Sequence, residues 1–278
     1  MIIAILFVIG LCVGSFVNAY VWRVYKQETG HGKGKQKKAP AKYSILHGRS
    51  MCPHCEHQLH AKDLVPVLSW LSLKGKCRYC KKPISPQYPL VELLTAVLFV
   101  VSYIAWPLLM NIEQWVYLGL WLVSVAVMMA LAIYDLKWMI LPNRMVAVLL
   151  SLALVQLLVA VIWQQSLAPL MTALWGALIG GGLFYVLFQL SAGRWIGGGD
   201  VKLGAVLGLI VGGPMNGILL LFIASFMGTL VAVPLLALGK AERTSKLPFG
   251  PYLLLAAYVV YLFGSRLVDW YNQSFFIV

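Results

Sequence analysis

Seven stretches of the chain, residues 2–22, 90–110, 115–134, 145–163, 170–190, 217–238 and 250–268, stay apolar over a length that crosses a bilayer, about 20 residues for a helix. Composition closes off a soluble alternative. With 61% apolar and only 11% charged residues, against about a quarter charged in an ordinary soluble domain, the chain cannot clothe a water-facing surface. Disorder requires low hydrophobicity, and here the balance is reversed. The sequence reads as an all-α polytopic membrane protein.

An eighth stretch, VKLGAVLGLIVGG at 201–213, is too short to be assigned by length, and charge decides it. With eight spans and an outer N-terminus, the inner loops 23–89, 135–144, 191–202 and 239–249 hold 21 of the 22 Lys and Arg residues. Only Arg266 falls outside, as the positive-inside rule requires. Without the short span, Lys240, Arg243 and Lys246 would lie outside. The expected organisation is a first transmembrane helix at 1–22, a basic cytosolic loop at 23–89 and a core of about seven helices at 90–278. No base precedes the first segment, while Arg23 and Lys26 follow it. It is therefore expected to insert N-terminus out and not to act as a signal peptide.

The formal charge of +13 is concentrated in residues 23–82, where 14 Lys and Arg face only Glu28, Glu56 and Asp63. Beside membrane spans, the run GKGKQKK at 32–38 reads as a contact for anionic lipid heads, not for nucleic acid. Glycines at four-residue spacing, Gly10 with Gly14, Gly176 with Gly180, and Gly204 with Gly208 and Gly212, are expected to let helices of this chain pack closely.

Four of the five cysteines form two pairs in the first inner loop, Cys52-Pro-His-Cys55 and Cys77-Arg-Tyr-Cys80, with 21 residues between them. Two turns, each presenting two thiolates, close a tetrahedral site that suits zinc and leaves no position open for water. Flanking Lys74, Lys76, Arg78, Lys81 and Lys82 are expected to favour the thiolates. A rival ligand set is Cys52, Cys55, His57 and His60. Cys12, alone in the first span, reads as a buried packing residue.

From residue 90 to 240 the acids are Glu92, Glu113, Asp135 and Asp200, and intramembrane carboxylates are functional suspects. Asp135 ends the third span and Asp200 opens the short one, so the expected topology puts both at the cytosolic side at equal depth. Two carboxylates sharing a water suit amide hydrolysis: the ionised one takes a proton from water and the protonated one polarises the carbonyl. Gly197, Gly198 and Gly199 are expected to clear space beside Asp200 for an extended substrate. Pairing of each aspartate with Lys137 or Lys202 is the plainer alternative.

Six segments together resemble one family: GSFVNAYVWR (14–23), MCPHCEHQL (51–59), VPVLSWLSLKGKCRYCKKPISPQYPLVE (65–92), YDLKWMILPN (134–143), GGGDVKLGAVLG (197–208) and LPFGPYL (247–253). They are similar to the type IV prepilin peptidases, bacterial inner-membrane aspartic proteases of the Gly-x-Gly-Asp class. The resemblance implies that Asp135 and Asp200 are catalytic and that Cys52, Cys55, Cys77 and Cys80 hold a zinc, read here as structural; Gly197, Gly199 and Lys202 are expected to line the substrate approach. It also implies removal of a short basic leader after glycine from prepilins or pseudopilins at the cytosolic face. Many members then methylate the new N-terminus with S-adenosylmethionine. Pro248, Phe249 and Gly250 are expected to shape the same face.

The chain departs from the pattern at Val24-Tyr25, where many members carry Leu-Pro, and in its lysine-rich stretch 26–42. A basic leader meeting that loop needs local acids such as Glu56, Asp63 or Glu92. For Glu92, three roles stand open: binding the leader, binding the methyl-acceptor amine, or pairing with Lys81 and Lys82. A proton-coupled transporter using the aspartates as a relay and a noncatalytic zinc-ribbon scaffold are the rival readings.

Overall fold

Each apolar stretch becomes a helix, longer than its apolar run in every case but 90–110, whose helix ends at Ile104. The structure, a computed structural model, describes residues 1–29, 43–44, 48–106, 110–240, 242 and 247–275. The lysine-rich run 33–42, Arg243 and Lys246 lie outside the described residues. The chain forms two compact units, Met1–Ile104 and Ala105–Val278.

In the first unit, α1 (Ile2–Thr29) continues beyond the apolar run that ends at residue 22. It packs along α3 (Gln87–Ile104). Glycine sets their separation: a Cβ on Gly10 would stand 2.5 Å from Ala96 Cα, and one on Gly14 2.7 Å from Glu92 Cα. Cys12 is exposed on α1 and not buried, so it lies off the packed face.

Between these helices lies a ribbon built from two copies of one turn. The Cys52 amide donates to the His57 carbonyl at 3.0 Å and the Glu56 amide to the Cys52 carbonyl at 3.0 Å. In the second copy, Cys77 donates to Lys82 at 2.9 Å and Lys81 to Cys77 at 3.0 Å. Glu56 and Lys81 both take the left-handed conformation, at φ 55° and 60°. Single bridges, Met51 with Gln58 and Lys76 with Pro83, close the turns. The short α2 (Leu68–Ser72) carries Trp70, whose indole N–H donates to the Ile84 carbonyl at 3.1 Å.

The second unit contains α4 (Ile112–Trp138), α5 (Asn143–Gln164), α6 (Ala168–Ser191), α7 (Gly198–Val211), α8 (Pro214–Ala237) and α9 (Gly250–Phe275). Asn111 caps α4 by accepting the Gln114 amide at 2.9 Å, satisfying a donor the first turn leaves free. Buried Trp121 of α4 stacks on Tyr261 of α9 at 3.8 Å between centroids. Outward apolar residues such as Leu158, Leu178 and Phe222 suit a lipid surround.

Among the described residues, seven helices are long and apolar enough to cross a membrane: α1, α3, α4, α5, α6, α8 and α9. α7 has 14 residues, about 21 Å at 1.5 Å per residue, and so falls short of a hydrocarbon core of about 30 Å. Its length is fixed by Gly212-Gly213-Pro214. Both glycines have positive φ, 61° and 75°, and the proline starts α8.

The closest helix pair is α6 with α7. A Cβ on Gly180 would stand 2.6 Å from the Gly204 carbonyl oxygen, and one on Gly176 would collide with the Gly208 carbonyl. The four-residue glycine spacing thus serves packing within the chain, backbone against backbone. Gly208→Ala is expected to lower stability by about 1–3 kcal/mol through overpacking. Gly182→Ala, whose Cβ would meet nothing nearer than Leu178 Cδ1 at 3.9 Å, should be neutral or slightly stabilising. Thermal unfolding of both variants in one detergent checks the pair.

Candidate active site

Glycine contacts carry the α6–α7 packing through to a carboxylate. Gly204 on α7 leaves room for the Phe184 ring, since a Cβ there would stand 2.8 Å from Phe184 Cδ2. Phe184 meets Phe249 edge to face at 5.7 Å between centroids. The next residue, Gly250, begins α9, and its amide donates to Asp135 Oδ2 at 3.1 Å. A Cβ on Gly250 would stand 2.6 Å from that oxygen, so a side chain here would displace the carboxylate. Asp135, in the last turn of α4, is only 5% exposed.

Asp200 lies in the first turn of α7, where the helix dipole favours a negative group. It is half-buried, and its charge and that of Asp135 are close enough to interact. Gly197 lies under it: a Cβ there would stand 3.3 Å from Asp200 Oδ2. Gly199 faces the other way, against Leu141, where a Cβ would stand 3.3 Å from Leu141 Cβ. Of the glycines expected to clear space beside Asp200, Gly199 therefore packs against protein.

The lysines do not neutralise the aspartates. Lys202 Nζ donates to Asn143 Oδ1 at 3.0 Å, and Lys137 Nζ sits 5.6 Å from the Trp138 ring centroid. Sequence reading placed Gly250 at this face but missed its bond to Asp135. The Phe-Gly-Pro break at a helix start was the available signal.

In the N-terminal unit, the sulfurs of Cys52, Cys55, Cys77 and Cys80 lie within 4.8 Å of one another. Cys52 Sγ and Cys80 Sγ are 3.9 Å apart, close to the edge of about 3.8 Å that tetrahedral Zn–S bonds of about 2.3 Å imply. The donor set fits a closed four-sulfur metal site. The rival set does not form: the His57 ring instead lies 3.7 Å from that of Tyr79.

Burial pushes the Cys52 thiol up to about 12. Burial would also raise Cys77, but the Cys80 and Tyr79 amides and the neighbouring sulfurs outweigh it and bring Cys77 down to about 7. At Cys77 the thiolate is thus favoured by the turn's own amides and the neighbouring sulfurs.

The acids proposed for a leader are already engaged. Asp63 binds Arg78 Nε at 2.7 Å and the Tyr79 hydroxyl at 2.9 Å, and Glu56 accepts the Tyr43 hydroxyl at 3.0 Å. Glu92, 6% exposed, accepts the Val67 amide at 2.7 Å and does not pair with Lys81 or Lys82.

Two family descriptions match consecutive parts of the chain: Bacterial Peptidase A24 N-terminal domain over residues 8–106 and Type IV leader peptidase family over residues 122–233. The chain is 34% identical to the prepilin leader peptidase/N-methyltransferase of Stutzerimonas stutzeri, across 96% of this chain and 92% of that one. It is 37% identical to the type 4 prepilin-like proteins leader peptide-processing enzyme of Escherichia coli O78:H11, across 88% of each. A prepilin leader peptidase/N-methyltransferase of Bacillus subtilis is 29% identical across 97% of each chain. No solved structure matches. With both family descriptions matched in order and full-length relatives above 30% identity, this chain belongs to the type IV leader peptidase family.

Proposed function

We propose that this protein removes the leader from prepilins or pseudopilins with Asp135 and Asp200 as the catalytic pair, and then methylates the new N-terminus. The observation that carries the reading is the Gly250 amide fixed on Asp135 Oδ2, with the Asp200 charge within reach. One oxygen of Asp135 is held by the backbone, which leaves the other for water. The ionised carboxylate takes a proton from that water as its oxygen attacks the scissile carbonyl carbon. The protonated carboxyl hydrogen-bonds the carbonyl oxygen, then gives its proton to the departing nitrogen as the C–N bond breaks. Gly197 brings no side chain against Asp200, and Lys202, held by Asn143, stands at the approach. The names of the relatives support the peptidase and the methyltransferase alike, and give no support to the transporter or scaffold readings.

The positive-inside count supports a bacterial inner-membrane protein with an outer N-terminus and the cysteine ribbon in the cytosol. There Cys52, Cys55, Cys77 and Cys80 would hold zinc as a structural tie between the two turns. The basic loop then lies at a surface of anionic lipid. S-Adenosylmethionine would supply an electrophilic methyl group to the amine that cleavage releases.

The test is a precursor with a basic leader, a Gly-Phe junction and an apolar helix, incubated with the purified protein and followed by mass spectrometry. Asp135→Asn and Asp200→Asn should each lower cleavage by about 10²–10⁴-fold or more, with methylation of a pre-cleaved substrate retained. Undiminished cleavage in either variant would overturn the dyad. Gly250→Ala should lower kcat by about 100-fold with KM nearly unchanged, because it displaces a catalytic group and not the substrate. Cys77→Ser, or chelation, should remove bound zinc and expose residues 48–86 to protease, read by metal analysis and limited proteolysis.

A further inference from the structure

The N-terminal unit holds a pocket of about 130 Å³, lined entirely by its own residues from α1, the ribbon, α2 and the start of α3. Three chemistries meet in its walls. Trp22 and Trp70 contribute aromatic surface, Arg23 and Arg49 positive charge, and Glu92 and Asn18 acceptors.

The two acceptors are the informative groups. Asn18 is 5% exposed, and its Nδ2 donates to the Tyr88 carbonyl at 3.1 Å. That bond requires a donor, so the amide cannot be turned round, and Oδ1 is left buried with no hydrogen-bond partner. Native proteins seldom leave such an oxygen unsatisfied. Glu92 accepts the Val67 amide and the Ser15 side chain, yet no cation of the described residues pairs with it. A buried carboxylate of this kind calls for a positive partner.

A cation entering this pocket would meet an acceptor in either residue. Aromatic walls favour an organic cation over a strongly hydrated one. Arginines on the same wall suit a carboxylate on the same ligand. The ligand class is therefore a small molecule with a cation and a carboxylate on a short apolar stem. Resting on the methyltransferase reading above, we propose that this pocket binds the amino-acid end of S-adenosylmethionine, its sulfonium against Glu92 and Asn18 Oδ1 and its carboxylate toward Arg23 and Arg49.

The sulfonium makes the proposal testable without turnover, because S-adenosylhomocysteine is the same molecule without that charge. Binding of both ligands is measured by calorimetry on the full-length, zinc-replete protein in nanodiscs. Glu92→Gln is expected to weaken S-adenosylmethionine by at least about tenfold, as a charge-assisted contact is lost, and S-adenosylhomocysteine by less than about threefold. Asn18→Ala should shift the same ratio in the same direction, and it decides the matter if Glu92→Gln does not fold.

Equal losses for the two ligands, or no loss for either, overturn the site. So does a variant that binds S-adenosylmethionine normally but loses affinity for a Phe-initiated peptide, since the cation held would then be the acceptor's ammonium. Wild-type protein that cleaves precursors but binds neither ligand overturns the methyltransferase reading itself, a result distinct from normal wild-type binding that the variants leave unchanged.

Discussion

The second unit depends on the backbone contact between α6 and α7. Gly176, Gly180, Gly204 and Gly208 bring the two main chains to a separation that no side chain permits. Without a water-driven hydrophobic effect between helices in lipid, close van der Waals approach is a main source of attraction. The site inherits its geometry from this contact: Gly204 seats Phe184, Phe184 seats Phe249, and Phe249 places the Gly250 amide on Asp135. The same helix, α7, carries Asp200 one turn before Gly204. One packing decision therefore positions both carboxylates.

The N-terminal unit is held differently. Its helices α1 and α3 also meet through glycine, but the ribbon between them has little apolar core. Two repeated turns, closed by backbone amides and converging on four sulfurs, take the place of a core. Trp70, held to the Ile84 carbonyl, and the Glu92 carboxylate, held to the Val67 amide, fasten α2 and the chain around it.

Much of this was legible in the sequence because the signals were local or compositional. Apolar runs marked seven helices, with starts within three residues and ends off by up to seven, and two Cys-x-x-Cys turns marked the sulfur cluster. The extension of α1 to Thr29 was not legible, since its last turns are polar and are helical by continuation. The Gly250 bond joins residues 115 apart in sequence, beyond the reach of any periodicity. Gly199 looked like open space beside Asp200 because a sequence reveals a missing side chain but not the Leu141 that fills it. Cys12 was misplaced for a related reason: in lipid, an apolar residue gains little by turning inward, so hydrophobicity does not report its face.

The shortness of α7 has a consequence for the membrane around it. A helix of about 21 Å in a hydrocarbon layer of about 30 Å cannot reach both surfaces. The Gly213 amide bonds the Thr172 carbonyl at 2.6 Å, so the turn at one end satisfies part of its own polarity inside the protein. Such a mismatch is met by thinning of the bilayer or by snorkelling of flanking residues, each at modest cost. A thinner bilayer would bring the carboxylate at the start of α7 nearer to water. Bilayer thickness thereby becomes a physical variable of the active site, set by the lipid as much as by the chain.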